Sequence, residues 1–556
     1  MGTDTKGNST ATHEVTNQSV PLEDYNVYKA DTALREAIHR EGAAWAEGKI
    51  VEFGEACGSA KYIELGRVAN KFPPELRTHD RYGHRTDTVE YHPAYHEVQS
   101  LYVKHRAHSW PWVEPRAGAH VARAALAYII PQTEAGVGCP ITMTFAVVPA
   151  LRHQPDVAAA WLPKLTANEY DQRHIPVDQK PSAQMGMAMT EKQGGSDVRA
   201  NTTQARAIGK GGPGGEYILT GHKWFCSAPM SDAFLTLAKT DAGVSCFLVP
   251  RFRPDGMKNN FFIQRLKDKL GNRSNASSEI EYRETWAQMV GEDGRGVPTI
   301  IEMVTHTRLD CGLASAGFMR QGVAQAVHHA RHRSAFGKLL RDQPLMKNVL
   351  ADLAVEWEAA TMLMFRLARG YDEAINDSAG QDFIRIATAV AKYWVCKRGP
   401  HHVYEAMECL GGAGYVEESP LPRLYREAPL TSIWEGSGNV MCLDVLRAMN
   451  REPDTASAFL GEVEQARGGD ARLDAAIDRL KKTLLDTDKL ELRARRLAEQ
   501  MALVLQGALL VRYGNKAVTE AFCASRLAGD HGDEYGTLPP HINFDAIIDR
   551  AAPIEK

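Results

Sequence analysis

Met185-Gly-Met-Ala-Met-Thr190-Glu-Lys-Gln-Gly-Gly-Ser-Asp197 is where the chain changes its hydrophobic rhythm. Apolar residues before it recur at helical spacing, as in Ala33 to Ala46, Glu52 to Val68 and the strongly apolar Ala119 to Ile130. From Met185 onward they alternate in short runs: Met185–Thr190, Glu216–Thr220, Phe234–Ala238, Ser245–Val249, Phe261–Gln264 and Glu279–Tyr282, separated by Gly-, Pro- and Asn-rich turns. This pattern predicts an antiparallel β domain. Helical spacing returns beyond about Gly296, with one helix from Gly312 to Arg333 and a second opened by Pro344 and running to about Ile375. A third spans Gln381 to Leu410, is interrupted near Gly399-Pro400, and is closed by Gly411-Gly412. The expected fold is α+β and mostly α. It comprises a flexible extension (1–25), an N-terminal helical domain (26–180), a central antiparallel β domain (181–295), a helical bundle (296–450) and an extra C-terminal helical extension (451–556).

A chain of 556 residues has room for three or four domains and a large core. Its net charge of -4 gives no global signature of a nucleic-acid binder. Nine scattered cysteines, with no CxxC pair, point to reduced thiols in the cytoplasm rather than a disulfide framework or a zinc site. His92, His96, His105 and His108 have helical spacing, but Pro93 and the aromatic surroundings match no ligand pattern, so no metal is expected. No segment is long and apolar enough to cross a membrane.

Two stretches carry chemistry. In Arg426-Glu-Ala-Pro-Leu-Thr-Ser-Ile-Trp-Glu-Gly-Ser-Gly-Asn439, Glu435 follows apolar bulk that can strip water from a carboxylate and raise its pKa toward the range of a general base. Gly436 and Gly438 allow close approach to a ligand. An exposed turn would also read this way, so the residues alone leave both possibilities open. The loop Thr190–Asp197 gathers hydroxyls and glycine N–H groups that can grip a polar ring edge or a pyrophosphate. It lacks the strand-to-helix context of a dinucleotide fingerprint or a P-loop.

The order of domains resembles the acyl-CoA dehydrogenase flavoprotein family, over roughly Ala119 to Leu446. The resemblance rests on Thr190-Glu191 with Gly195-Ser196-Asp197, Gly221-His-Lys-Trp-Phe-Cys-Ser227, Lys269-Leu-Gly-Asn-Arg273, Arg333-Ser-Ala-Phe-Gly337, Leu410-Gly-Gly-Ala-Gly414 and Trp434-Glu-Gly-Ser437. Pro74-Glu-Leu-Arg-Thr-His-Asp80, Ser432 to Asn439 and the C-terminal extension are similar to the alkylation-response branch of that family.

The resemblance implies FAD as cofactor and an acyl-CoA as substrate. It places Met187, Met189, Thr190, Gly195, Ser196, Phe225 and Ser227 against the flavin, and Trp434, Ser437 and Asn439 beside it. Arg333 and Phe336 would reach the cofactor from a neighbouring subunit, with Gly412 at the adenosine portion, in a homotetramer. Glu435 would remove the α-proton of the acyl thioester as the β-hydrogen leaves as hydride to the flavin. Thr307, before Arg308-Leu309, stands where some relatives carry the base and cannot serve as one. The chain departs from the family at Lys192, Phe225 and Glu408, the last adding a negative charge near the diphosphate unless Arg333 or Arg398 offsets it. The alkylation-response branch implies binding of duplex DNA, its protection from alkylation and weak dehydrogenase activity. Arg447, together with Lys489, Arg493, Arg496 and Arg526 of the extension, would then form a basic surface. The alternative is a short- or branched-chain acyl-CoA dehydrogenase with no DNA role.

Overall fold

The computed structural model describes residues 12–553. Its N-terminal part is built from helices α1 (Thr32–Arg40), α2 (Glu47–Cys57), α3 (Ala60–Lys71), α4 (Pro93–Lys104), α5 (Ala119–Thr133), α6 (Gly138–Leu151) and α7 (Pro155–Leu165). Asp31 and Ser59 cap α1 and α3 by accepting from Leu34 N and Tyr62 N, and His92 does the same for α4 from Ala94 N. The helix expected over Glu52 to Val68 is therefore two, broken where a Cβ on Gly58 would lie 1.9 Å from the Tyr25 carbonyl. An unexpected hairpin, β1 (Glu75–His79) and β2 (Arg85–Glu90), follows Pro73-Pro74. Its alternation is hidden by charged residues.

The sheet contains β3 (Met185–Ala188), β4 (Gln204–Ala207), β5 (Glu216–Ser227), β6 (Ala233–Thr240), β7 (Gly243–Pro250), β8 (Phe261–Leu266) and β9 (Ser277–Val290). It is mostly antiparallel, but β3 runs parallel to β6, pairing Met185 with Ala233 and Met187 with Leu235. The expectation of a wholly antiparallel sheet is corrected there. The long connection from β3 through Thr190–Asn201 is what permits that orientation.

Behind the sheet stand α8 (Gly296–His332), α9 (Pro344–Glu373) and α10 (Ser378–Glu408), then α11 (Gly438–Arg451) and the extension helices α12 (Ala471–Leu485) and α13 (Ala494–Tyr513). Pro400 lies inside α10 without ending it, correcting the expected interruption. The bundle and the extension share one continuous apolar core, in which Leu473, Ile477 and Leu480 pack with Leu497, Met501 and Leu505. Among the described residues no helix is long and apolar enough to cross a membrane.

Residues 1–11 of the expected flexible extension lie outside the described residues. From Asn17 the segment is tied down: Arg333 Nη1 donates to Asn17 O (2.7 Å), and Tyr25 OH donates to Gln321 Oε1 (3.1 Å). All nine cysteines are buried thiols without disulfides.

Three domains meet at Glu427. Its carboxylate accepts from Asn272 N of the β domain (2.8 Å) and from Asn70 Nδ2 of α3 (3.3 Å). Burial, aided by the nearby Glu134 charge, pushes its carboxyl up to about 7. Because the folded value lies above the unfolded one, its contribution is full below the ordinary glutamate range and is lost as pH rises through about 7. Glu427→Gln should therefore gain on the wild type between pH 5 and 8, by up to about 3 kcal/mol in denaturant unfolding. A difference that does not change with pH would contradict this.

Candidate active site

Glu435 sits on the turn between a short helical segment, Ala428–Ser432, and the start of α11. Its φ of 59° is left-handed, a strained conformation for a residue with a side chain, and Gly436 follows at 108°. Such a turn persists only if its surroundings hold it. Lys392 of α10 donates to Trp434 O (2.7 Å) and Gly436 O (2.5 Å), while Arg308 Nε of α8 donates to Glu435 O (3.0 Å). Three consecutive carbonyls are thus held by two cations. Asp444 of α11 accepts in turn from Arg308 Nη1 (2.9 Å).

The Glu435 side chain is partly buried, and its Oε2 accepts from Thr307 Oγ1 at 2.9 Å. Burial pushes its carboxyl above the usual range; the Thr307 hydroxyl and the Lys392 and Arg308 charges pull the other way without cancelling it. The result is a carboxylate of raised basicity, fixed in one orientation and suited to taking a proton. Trp434 packs against an apolar cluster that also takes in Met187, Met189 and Cys139. The Cys139 thiol is pushed up chiefly by burial and also feels Glu435 and Ser227. Cys139 thus lies near both the Glu435 turn and Ser227 at the end of β5.

That loop is anchored by a fully buried ion pair. Glu191 accepts from Lys223 Nζ of β5 (2.8 Å), Thr202 N (2.6 Å), Thr202 Oγ1 (2.9 Å), Thr203 N (3.2 Å) and Thr203 Oγ1 (2.6 Å). Burial opposes both charges and brings the Lys223 ammonium down to about 8. The pairing and the converging donors hold Glu191 well below the carboxylate range, so both are ionised at neutral pH. A backbone bond from Trp224 N to Thr190 O (2.7 Å) completes the anchoring.

The family is decided by comparison with known proteins. The model of the AidB N-terminal domain matches residues 17–172, that of the acyl-CoA dehydrogenase middle domain 186–285, and that of the acyl-CoA dehydrogenase C-terminal domain 294–450. The chain is 45% identical to AidB of Escherichia coli (strain K12) over 92% of its own length and 94% of the relative's. It belongs to the AidB branch of the acyl-CoA dehydrogenase family. Acyl-CoA dehydrogenase family member 11 of Caenorhabditis elegans is 30% identical over 88% of this chain and 84% of its own. The structure of Caenorhabditis elegans ACDH-11 in complex with C11-CoA superposes with a TM-score of 0.84 at 26% identity, covering 93% of each chain. The apo form of Bd2924 gives 0.82 at 28% identity, covering 89% of this chain and 99% of the other.

Members of the acyl-CoA dehydrogenase family are FAD-dependent, and the residues present fit that cofactor. Phe225 keeps its ring 48% exposed on β5, and two residues on Ser227 presents a hydroxyl 3.2 Å from that of Ser277. A Cβ on Gly195 would lie 2.4 Å from Thr190 Oγ1, so only glycine lets the hydroxyl-bearing turn, with Ser196 exposed at its tip, close up. The indole Nε1 of Trp434 is buried without a partner. Phe336 is 99% exposed on a small hairpin after Arg333, and Gly412 has open space where a Cβ would be.

Several expectations are corrected. Arg398 cannot offset Glu408, because it is committed to Glu356 (3.2 Å); the exposed Glu408 interacts with the Tyr404 hydroxyl instead. Asn439 Oδ1 accepts from Arg495 Nε of α13 (2.8 Å), so the extension reaches the start of α11 beside the Glu435 turn, whereas Ser437 is exposed. Of the basic residues assigned to DNA, Arg526 is buried against Asp352 and Glu356 and cannot meet a phosphate. Arg493 closes its own turn by donating to Asp486 O (2.7 Å) and Asp488 O (2.6 Å). Lys489 and Arg496 are exposed; Arg447 is half-exposed and lies 3.3 Å from Asp444. His96 bonds to the Tyr170 hydroxyl (2.9 Å), His108 to Ala167 O (2.8 Å), and His105 packs on Phe53, which accounts for the histidines near α4.

Proposed function

We propose that the protein oxidises an acyl-CoA, with Glu435 as the base that takes the α-proton. Bound FAD supplies the acceptor for the hydride leaving the β-carbon. The chain's own contribution is to hold the carboxylate at one angle through Thr307, to raise its affinity for a proton by burial, and to fix the surrounding carbonyls. The observation that carries this reading is the Thr307-bound carboxylate on a clamped, left-handed turn. The C11-CoA complex of ACDH-11 supports an acyl thioester as ligand. The test is incubation of the FAD-loaded protein with saturated acyl-CoAs. Formation of the 2,3-enoyl-CoA supports the reading, and no product from any chain length overturns it. We propose slow turnover and a homotetramer, with Phe336 as a residue covered by assembly; a solution mass of one chain would overturn the latter.

A second reading, that this AidB relative binds duplex DNA and shields it from alkylation, is favoured by the exposed Lys489 and Arg496 on the extension. Removing one phosphate-binding cation lowers the log-log salt slope of binding by about 0.9. The double variant Lys489→Ala/Arg496→Ala should lose up to about 2 in slope, whereas Arg526→Ala, whose guanidinium is buried, should leave the slope unchanged in whatever protein remains folded. An unaltered affinity and slope in the double variant would leave the dehydrogenase reading alone.

A further inference from the structure

We infer that Lys392 is the positioning residue of the catalytic base: its single ammonium, inserted between the carbonyls on either side of Glu435, holds the turn in the conformation that aims the carboxylate. This inference rests on the reading of Glu435 as the base. Lys392 is 2% exposed in a helix otherwise apolar around it, between Ala391 and Tyr393. A lysine so placed demands dedicated acceptors. It finds Trp434 O at 2.7 Å and Gly436 O at 2.5 Å, the residues before and after the base. No carboxylate lies within 4 Å of its Nζ among the described residues, so its bonding is spent on this turn.

Two features make the clamp more than packing. A non-glycine residue at φ 59° is strained and persists only where its surroundings over-determine it, and two charge-assisted bonds to the flanking carbonyls supply that constraint. The ammonium also adds its charge to the field at Glu435. The other charged or titratable groups near the carboxylate are Arg308 and Cys311 of α8 and Cys139 of α6. Lys392 is thus one of two cations there, and the only one bonding to two carbonyls of the turn.

The test uses the FAD-loaded full chain and anaerobic flavin reduction by an acyl-CoA, with Glu435→Gln as control. If Glu435→Gln reduces flavin like the wild type, the reading of the base fails and not the clamp. Given an inactive control, Lys392→Gln should slow flavin reduction about 100-fold while changing the acyl-CoA concentration for half-saturation less than about 3-fold, as expected when a reacting group is misplaced by about 1 Å. Loss of the ammonium removes an influence that favours the charged carboxylate. The limb of the pH–rate profile that rises with base ionisation should therefore move to higher pH. A folded, FAD-bound Lys392→Gln with an unchanged rate or an unmoved limb overturns the inference. Should that variant not fold, Lys392→Arg decides: it keeps the charge but cannot place one nitrogen between both carbonyls. It should slow reduction about 10-fold with the limb unmoved. An unchanged rate overturns the inference equally.

Discussion

Glu435→Gln should keep FAD bound and slow flavin reduction by any acyl-CoA at least about 10³-fold. A positioned general base contributes roughly 10²–10⁴, and the amide keeps the shape while losing the ability to take a proton. The neighbouring groups cannot substitute. Thr307 is a hydroxyl already donating to Glu435 Oε2, and Lys392 and Arg308 are cations committed to the backbone of the turn. The measurement is single-turnover reduction in the absence of oxygen, with flavin content and unfolding temperature as controls. Reduction within about 10-fold of the wild type would show that the proton leaves by another route.

Lys223→Met should destabilise the chain by about 3–5 kcal/mol and release FAD, because it leaves the Glu191 carboxylate charged, fully buried and without its cation. The four hydrogen bonds from Thr202 and Thr203 keep that charge in place, so it cannot escape by swinging to solvent. Glu191→Gln combined with Lys223→Met should recover part of the loss, since the uncompensated charge is then gone. Denaturant unfolding of the two variants against the wild type measures this. A loss under about 1 kcal/mol in Lys223→Met would mean that the pair does not anchor the loop.

Residues whose role depends on local pattern could be read from the chain; those whose role depends on a partner far along it could not. The switch to period-two alternation at Met185 locates the β domain, and the apolar residues before Glu435 signal a carboxyl whose pKa burial raises. The hairpin at Glu75–Glu90 escaped because its strands carry charges on the faces that would reveal alternation. The parallel pairing of β3 with β6 escaped because pairing direction is set by the path of the connecting loop, not by the strand's own residues. Glu191 reads as part of a ligand-gripping loop, yet its partner is Lys223, thirty-two residues on, and together they are a buried brace. Lys392 did leave a trace: a lone lysine in Ala387–Cys396, among alanines, valines and aromatics, announces a buried cation with reserved acceptors. Neither the family resemblance, which placed Arg526, nor the basic helix face, which placed Arg493, could reveal that a basic residue is as readily consumed by Asp352 or by its own turn as offered to a phosphate.

The central claim is that this chain, with FAD bound, removes the α-proton and the β-hydride of an acyl-CoA at the site built around Glu435. Anaerobic mixing of the FAD-loaded wild type with a series of saturated acyl-CoAs, from short to long, tests it most directly. At least one chain length should bleach the visible flavin absorbance, with enoyl-CoA formed in equal amount to flavin reduced. Flavin that stays oxidised with every member of the series, while acyl-CoA is shown to be bound, would contradict it.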